Sequence, residues 1–294
     1  PGHEAFVTIV AMGDKVTDLA LGKQYLVQTD YRWLATENSN AAFGYNFEGG
    51  LQQYVLLDQR VFTSPDGQSF MIPIKENVKE VSSSARALVE PWACVEDAYV
   101  NTERIKIEKD SKMLVVVDDT KNFDCRIFKA FLGRFGQPAS FTAVAKTPLP
   151  EDIGIDINKA SDIDTLDDHS FDDVIYFGST PETVEALFDK VASKGLFNIV
   201  LSGSKLGREI ETQVGRVHYG GIRIIGTATN DPAEAMENMP HNAEIRKGDK
   251  IDIIGAAGPM GVMHVVRNLC QGVPDITVYA GDLDEHRLEK LNSI

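Results

Sequence analysis

The pattern of hydrophobic positions changes near residue 110, from short β-type runs to an alternation of strands and helices. Residues 6–11 and 24–28 form apolar runs that end at turn residues, and residues 51–57 follow a glycine pair. Short runs with this spacing are typical of strands in all-β domains. Residues 1–81 are therefore predicted to form a β-rich, barrel-like domain.

Residues 82–101 have a different period. Three serines begin the segment, and apolar residues follow at intervals of three and four, which predicts a helix. Pro91 lies inside this pattern and either kinks the helix or begins a second one.

From residue 112 onward apolar strands alternate with helical segments. Strands are predicted at 113–117, 140–145, 173–178, 197–201 and 222–226. Helices are predicted at 126–135 and from Pro181 to a stop at Lys194-Gly195. This alternation indicates doubly wound parallel sheets, with one α/β unit near 110–230 and another that starts at 249.

The second α/β unit contains a glycine-rich turn between a strand and a helix. An apolar strand ends at Gly255, the turn includes Gly258, Pro259 and Met260, and the helix begins near Gly261. Glycines in this position let the backbone approach a pyrophosphate at the positive end of the helix. Ala256 replaces the first glycine of the usual pattern. A tight βα turn without a ligand is the alternative interpretation.

An acidic residue follows the second strand of this unit. Asp282 lies about 20 residues beyond the last glycine, where a carboxylate accepts hydrogen bonds from the adenosine ribose. We expect NAD as the cofactor, because a carboxylate repels the 2′-phosphate of NADP. Arg287, one helical turn further, could offset that repulsion, so NADP is the alternative. The predicted cofactor-binding residues are Gly255, Gly258, Pro259, Met260, Gly261, Asp282 and Arg287.

The first α/β unit lacks such a turn. Asp118 and Asp119 follow its first strand directly, and two carboxylates there would repel a pyrophosphate. We therefore predict that this unit binds no dinucleotide.

Composition narrows the classes of partner. The net charge of −15 over 294 residues disfavours binding to nucleic acid or anionic membranes, and no apolar run could span a bilayer. The three cysteines are far apart and indicate no disulfide framework, which favours a reducing, cytoplasmic setting. The chain starts at Pro1 and stops soon after a second Rossmann strand. We therefore expect a fragment, truncated at both ends, of a longer homo-oligomeric protein.

Three further motifs carry a resemblance to a known family. They are Gly2-His3-Glu4, the segment 48–55 that begins Glu-Gly-Gly, and Leu-Val-Glu-Pro-Trp-Ala-Cys at 88–94. Together with the glycine turn they resemble the zinc-containing medium-chain dehydrogenase/reductase family, in its alcohol and polyol dehydrogenase branch. Within that family, the sequence resembles more specifically the sugar-phosphate reductases of the sorbose-1-phosphate type.

The resemblance implies a fold and a division of the chain. The fold class is α/β, with a GroES-like β-rich domain followed by tandem Rossmann-type doubly wound units, the second incomplete. Residues 1–108 correspond to the GroES-like catalytic domain, without its N-terminal part, and its connecting helix. Residues 109–248 correspond to a Rossmann-like unit without the glycine fingerprint, and 249–294 to the start of the NAD-binding unit.

The resemblance also implies a site and an activity. His3, Glu4 and Glu90 match three ligands of the family's catalytic Zn²⁺, whose cysteine ligand would precede Pro1. The segment 29–47 has no cysteine, so no structural zinc is expected. The implied reaction is hydride transfer between NAD(H) and a secondary alcohol or ketone of a polyol, sugar or sugar phosphate. The site would lie between the β-rich domain and the cofactor-binding sheet.

Two other interpretations remain open from the sequence. A zinc-independent quinone or enone reductase of the same fold often has the Ala-x-Gly-x-x-Gly turn. A nucleotide-binding module without enzymatic activity is the second alternative. Two further residues are expected to have structural roles only. His264, on the helix after the turn, is expected to pack against its neighbours, and Cys94 is expected to be a small buried residue.

Overall fold

The computed structural model describes residues 1–36, 40–75, 80–102, 104–118, 123–145 and 156–293, without the side chains of Arg32 and His218. Its contacts divide the chain into two compact units. Pro1–Asn101 and Ala243–Ile294 together form one, here called the split unit, and Thr102–Asn242 form the central unit. Residues 249–294 thus group with the N-terminal segment, while the three-domain division of the sequence stays a prediction.

The N-terminal part of the split unit is β-rich, as predicted. Its described strands form two small antiparallel sheets around a core that includes Tyr31, Phe43 and Met71. One sheet has the order β1-β2-β5 and the other pairs β3 with β4. Residues 51–57 are not a strand, and closure into a barrel stays a prediction. The elements are β1 Phe6–Thr8, β2 Gln24–Val27, β3 Asp30–Ala35, β4 Asn40–Ala42, α1 Gln59–Phe62 and β5 Met71–Pro73.

The predicted helical segment is two helices, α2 over Ser83–Ala87 and α3 over Val89–Val100. The Ser82 side chain caps α2 by accepting the Ala85 N–H at 3.2 Å. Pro91 lies in the first turn of α3, where a backbone N–H has no partner within the helix, so it does not disrupt the helix. The second of the two predicted roles for Pro91 is therefore the correct one.

The central unit contains a six-stranded parallel sheet with the strand order β11-β10-β9-β6-β7-β8. Helices α4 and α7 cover one face and α5 the other, which confirms the predicted doubly wound arrangement. The continuous apolar run of β6 is buried because both faces are covered. The elements are β6 Lys112–Val117, α4 Cys125–Phe135, β7 Ser140–Ala145, β8 Ile157–Lys159, β9 Phe171–Phe177, α5 Pro181–Lys190, β10 Val191–Val200, α6 Val214–Tyr219, β11 Arg223–Thr227 and α7 Pro232–Asn238.

The predicted end of α5 at Lys194-Gly195 is wrong. The helix stops at Lys190, and β10 begins at Val191, which pairs with Phe171. The pairing then shifts register before Leu196, and Lys194 within the irregularity has a positive φ of 61°. Pairing with β9 thus overrides the local helical pattern.

The C-terminal part of the split unit follows the predicted strand, turn, helix and strand. β12 (Lys250–Ile254) pairs in parallel with β13 (Thr277–Gly281), and the segment between them includes α8 (Pro259–Cys270). Helix α9 spans Glu285–Leu291. None of the helices in the described ranges is long and apolar enough to cross a membrane.

A buried arginine joins α3 to α8. The Arg267 side chain is 3% exposed, and its guanidinium binds Glu96 of α3 at 3.0 Å and Glu244 at 2.7 Å. It also lies 4.0 Å over the Tyr99 ring. Hydrogen bonding to Arg267 lowers the pKa of Glu244. A guanidinium removed from water needs such partners, so this contact fixes α8 against α3.

The Tyr99 hydroxyl completes the contact between these helices. It lies 2.9 Å from His264 Nδ1 and accepts a hydrogen bond from Asn268 Nδ2 at 2.9 Å. Burial lowers the pKa of His264, which favours the neutral ring. His264 thus packs between helices, as expected from the sequence.

Replacing Arg267 with methionine should destabilise the protein by about 2–3 kcal/mol, because two carboxylates lose a charged donor. Urea unfolding measures the change. Arg126→Ala is the control, since Arg126 pairs with Asp124 while 87% exposed and should leave the unfolding midpoint nearly unchanged. Equal midpoints for Arg267→Met and the wild type would contradict the assigned role.

Candidate functional site

The structure brings together the three residues that the resemblance identifies as metal ligands. His3 and Glu4 precede β1, and Glu90 lies in the first turn of α3. One candidate ligand atom from each lies within 4.8 Å of the other two. His3 Nε2 is 3.7 Å from Glu90 Oε2, and their side chains are 31% and 18% exposed. Ligand atoms separated by more than 80 residues of sequence therefore converge at a partly exposed position.

The donor set fits a zinc ion. Zn²⁺ is bound by imidazole nitrogen and carboxylate oxygen, and catalytic sites use three protein ligands with one position left open. One imidazole and two carboxylates provide three such ligands, and their acidic members offset the charge of a divalent cation. This cluster is thus able to hold a metal and leave a position for a substrate oxygen.

Two neighbours of Glu90 were not assigned to the site from the sequence. The Thr29 hydroxyl donates to Glu90 Oε1 at 3.3 Å, and the Cys94 thiol donates to the same oxygen at 3.7 Å. The expectation that Cys94 is buried is wrong, because it is exposed on α3 one turn beyond Glu90. Desolvation and the Glu90 carboxylate raise the pKa of its thiol. Cys94 lies four residues after Glu90 on one predicted helix, and that spacing could have indicated their contact from the sequence. No sequence pattern indicated the contact of Thr29 with Glu90.

A groove of about 1010 Å³ includes Glu4 in its lining. It runs along β1 and the segment 52–57, and its lining is mostly apolar, with polar members that include Glu48, Gln52 and Gln53. Its volume suits a small molecule, and carboxylate and amide groups can hydrogen-bond to hydroxyls. The groove therefore meets the candidate metal cluster at Glu4.

The predicted glycine turn forms the N-terminus of α8. Gly255 has a φ of +75°, Gly258 is the N-cap, and Pro259 and Met260 begin the helix. A Cβ atom on Gly261 would lie 2.1 Å from the Gly255 carbonyl oxygen, so only glycine fits there. Close packing of this kind is the role of the third glycine in dinucleotide-binding turns.

Asp282 contacts the glycine turn directly. One carboxylate oxygen accepts the Ala257 N–H at 3.1 Å and the other accepts the Asp284 N–H at 3.0 Å. The hydrogen bond from the Asp284 N–H makes the largest contribution to lowering the pKa of Asp282, and the one from Ala257 lowers it further. The Asp282 carboxylate is therefore charged at neutral pH. Arg287 instead pairs with Asp284, at 3.3 Å. The structure thus places the acid at the turn and gives the arginine a separate partner.

The central unit has a carboxylate at the position where α/β sheets bind ligands. Its strand order reverses between β6 and β9, and ligands bind outside the carboxyl ends of strands at such a point. Asp118 follows β6 there and accepts hydrogen bonds from the hydroxyls of Tyr176 and Thr180, the latter at 2.9 Å. A Cβ on Gly178 would lie 2.6 Å from that carboxylate. Asp119 lies outside the described residues.

These contacts also determine how α5 begins. Thr180 occupies the N-cap position but makes no side-chain capping hydrogen bond, because its hydroxyl binds Asp118. The absence of a dinucleotide from the central unit stays a prediction, and the charge of Asp118 at this point supports it.

Neither a protein-family model nor a curated protein matches the chain. Solved structures that match it include D-arabinose dehydrogenase from Sulfolobus solfataricus, at 15% identity and a TM-score of 0.31, covering 88% of this chain and 80% of that one. L-idonate 5-dehydrogenase from Escherichia coli matches at 14% identity and a TM-score of 0.31, over 94% and 80% of the two chains.

A third match is Haloferax mediterranei glucose dehydrogenase in complex with NADP, Zn and gluconolactone. It has 13% identity and a TM-score of 0.31, over 81% of this chain and 72% of that one. These matched proteins are dehydrogenases. At such identities and TM-scores the likeness assigns no activity to this chain, so its own residues carry the functional argument.

Gly261→Ala should destabilise the protein by about 1–3 kcal/mol, because the added methyl overlaps a backbone carbonyl that cannot rotate away. Gly133→Ala is the control. Gly133 lies within α4 with open space around its Cβ position, so alanine should stabilise by roughly 0.5–1 kcal/mol. Thermal or urea unfolding of both variants checks the opposite signs, and a harmless Gly261→Ala would contradict the close packing at the turn.

Proposed function

We propose that this protein is a zinc-dependent oxidoreductase that transfers hydride between NAD(H) and a secondary alcohol or ketone. The observation that carries the proposal is the convergence of His3, Glu4 and Glu90 within 4.8 Å. The groove beside Glu4 has a mostly apolar lining, and its few carboxylate and amide groups would hydrogen-bond to the hydroxyls of the proposed polyol, sugar or sugar phosphate substrate.

His3, Glu4 and Glu90, together with the cysteine that the family resemblance implies, would hold one catalytic Zn²⁺. When bound, such an ion acts as a Lewis acid on the substrate oxygen and lowers the pKa of an alcohol. His3 would contribute a neutral nitrogen, while Glu4 and Glu90 would contribute negative charge. Partial exposure of the cluster leaves space for the substrate to approach.

The glycine turn at the start of α8 would hold the dinucleotide. Gly258 and Gly261 let the backbone approach a pyrophosphate, and the 12-residue helix presents its positive end there. Asp282 would accept a hydrogen bond from the ribose, since its charge persists at neutral pH. Gly255, Pro259 and Met260 shape the turn.

The helices that carry the two sites are joined to each other. Glu90 is in the first turn of α3, and the same helix is fixed to α8 by Arg267 and Tyr99. A rigid mounting of this kind suits hydride transfer, which depends on the relative position of metal, substrate and cofactor. Oligomeric state and cytoplasmic location stay predictions from the sequence.

Removing His3 or Glu90 should abolish stoichiometric zinc binding. His3→Ala and Glu90→Gln each remove one ligand of three, which should lower the affinity for Zn²⁺ at least tenfold and reduce turnover accordingly. Metal analysis after dialysis and dehydrogenase assays measure both effects.

An exposed histidine–glutamate pair provides the matched control. His286 Nδ1 lies 3.8 Å from Glu289 Oε2, so His286→Ala removes a similar pair without touching the cluster. This variant should keep its zinc. Full zinc content in both ligand variants would refute the metal assignment, and quinone reduction without zinc would favour the zinc-independent reductase.

The protein should bind NAD more tightly than NADP, because the Asp282 carboxylate repels a 2′-phosphate. Asp282→Asn keeps the size of the side chain and removes its charge, so the preference should largely disappear. Calorimetric titration with each cofactor tests this. Tighter binding of NADP by the wild type would mean that Arg287, despite its contact with Asp284, determines the choice.

A further inference from the structure

We propose that Thr29 and Cys94 are positioning residues that hold one oxygen of Glu90, so that its other oxygen is presented to the metal. The inference rests on the metal site of the proposed function. It adds two residues to that site and assigns Glu90 a single coordinating oxygen.

The two carboxylate oxygens of Glu90 have different surroundings. Oε1 accepts hydrogen bonds from the Thr29 hydroxyl at 3.3 Å and the Cys94 thiol at 3.7 Å. Oε2 lies 3.7 Å from His3 Nε2. Two ligand atoms on a tetrahedral zinc are separated by roughly 3.3 Å when each bond is about 2.0 Å, so the Oε2 distance is close to that required.

Thr29 is a fixed donor. It is 6% exposed between β2 and β3, and its carbonyl accepts the Phe43 N–H at 3.1 Å. Its N–H donates to the Gln28 side chain at 3.2 Å. With the backbone held on both sides, the hydroxyl is directed at Glu90 from a separate element.

Cys94 approaches from the same helix as Glu90. Residues four apart lie on one face of a helix, which brings the thiol alongside the carboxylate. Within the described chain the group of mutually close ligand atoms consists of His3, Glu4 and Glu90, and the Cys94 sulfur is outside it. Its contact with Oε1 therefore marks it as a hydrogen-bond donor rather than as a metal ligand.

Partners of ligating carboxylates are worth 10–100-fold in metal affinity. Without its two donors the Glu90 side chain could rotate. Binding a metal would then have to fix it, and this loss of conformational entropy would lower the metal affinity. The loss should depend on the donor group and not on the volume of the side chain. Serine in place of either residue retains an O–H donor, and valine or alanine does not.

The test is titration with Co²⁺, which reports both affinity and ligand type. Thr29→Val and Cys94→Ala should each weaken Co²⁺ binding about tenfold. Thr29→Ser and Cys94→Ser should bind as the wild type does. The near-ultraviolet spectrum of the Co²⁺ complex should be the same in the wild type and in Cys94→Ser, because the Cys94 thiol does not coordinate.

Two variants control for the changes themselves. Thr17→Val removes an exposed hydroxyl that donates to Asp18 at 3.0 Å, and Cys270→Ala removes an exposed thiol elsewhere. Both should bind Co²⁺ normally. Circular dichroism of each variant confirms that it is folded before titration.

The outcomes are distinct. If the wild type binds no Co²⁺ through His3 and Glu90, the proposed metal site and this inference both fail. If it binds Co²⁺ but Thr29→Val and Cys94→Ala match it, only the positioning role fails. A charge-transfer band that disappears in Cys94→Ser would overturn the inference by making Cys94 a ligand.

Discussion

The burial of Arg267 is the constraint on which the arrangement of the split unit depends. A guanidinium that is 3% exposed must be paired, and its partners come from α3 and from the segment before β12. Because α3 also carries Glu90 and α8 also carries the glycine turn, one ion-pair network joins the two candidate sites. The contacts of the Tyr99 hydroxyl with His264 and Asn268 are directional, so they further fix the orientation of α8 against α3.

The candidate metal cluster depends on a second convergence. A strand entry supplies His3 and Glu4, and a helix N-terminus supplies Glu90, where the helix dipole also favours a carboxylate. Thr29 and Cys94 donate hydrogen bonds to Oε1 of Glu90, while Oε2 lies near His3. A ligand that is oriented before the metal arrives loses less entropy on binding, so the proposed contacts around Glu90 would contribute to metal affinity alongside the ligands.

The two α/β segments differ in the turn that follows their first parallel strand. In the central unit a full doubly wound sheet has its switch point beside Asp118, whose carboxylate is held by Tyr176 and Thr180. In the described part of the split unit, β12 and β13 are the two parallel strands that pair, and glycines form the turn before α8. The two turns therefore differ in electrostatics rather than in strand order. The Asp118 carboxylate disfavours an anionic ligand at the turn after β6, whereas backbone N–H groups are available to an anion at the turn before α8.

The sequence by itself determined the α/β class and the glycine turn, because these depend on local patterns, and its short motifs supplied, through the family resemblance, the separate residues of the candidate metal cluster. Strand periods, caps and glycines act over a few residues, so Ser82, Pro91 and Gly261 could be interpreted in place. Tertiary structure decided the end of α5, where pairing with β9 replaced the helix, and the exposure of Cys94. It also decided the contact of Thr29 with Glu90 across 61 residues and the pairing of Arg267, since no local pattern encodes which distant side chains meet.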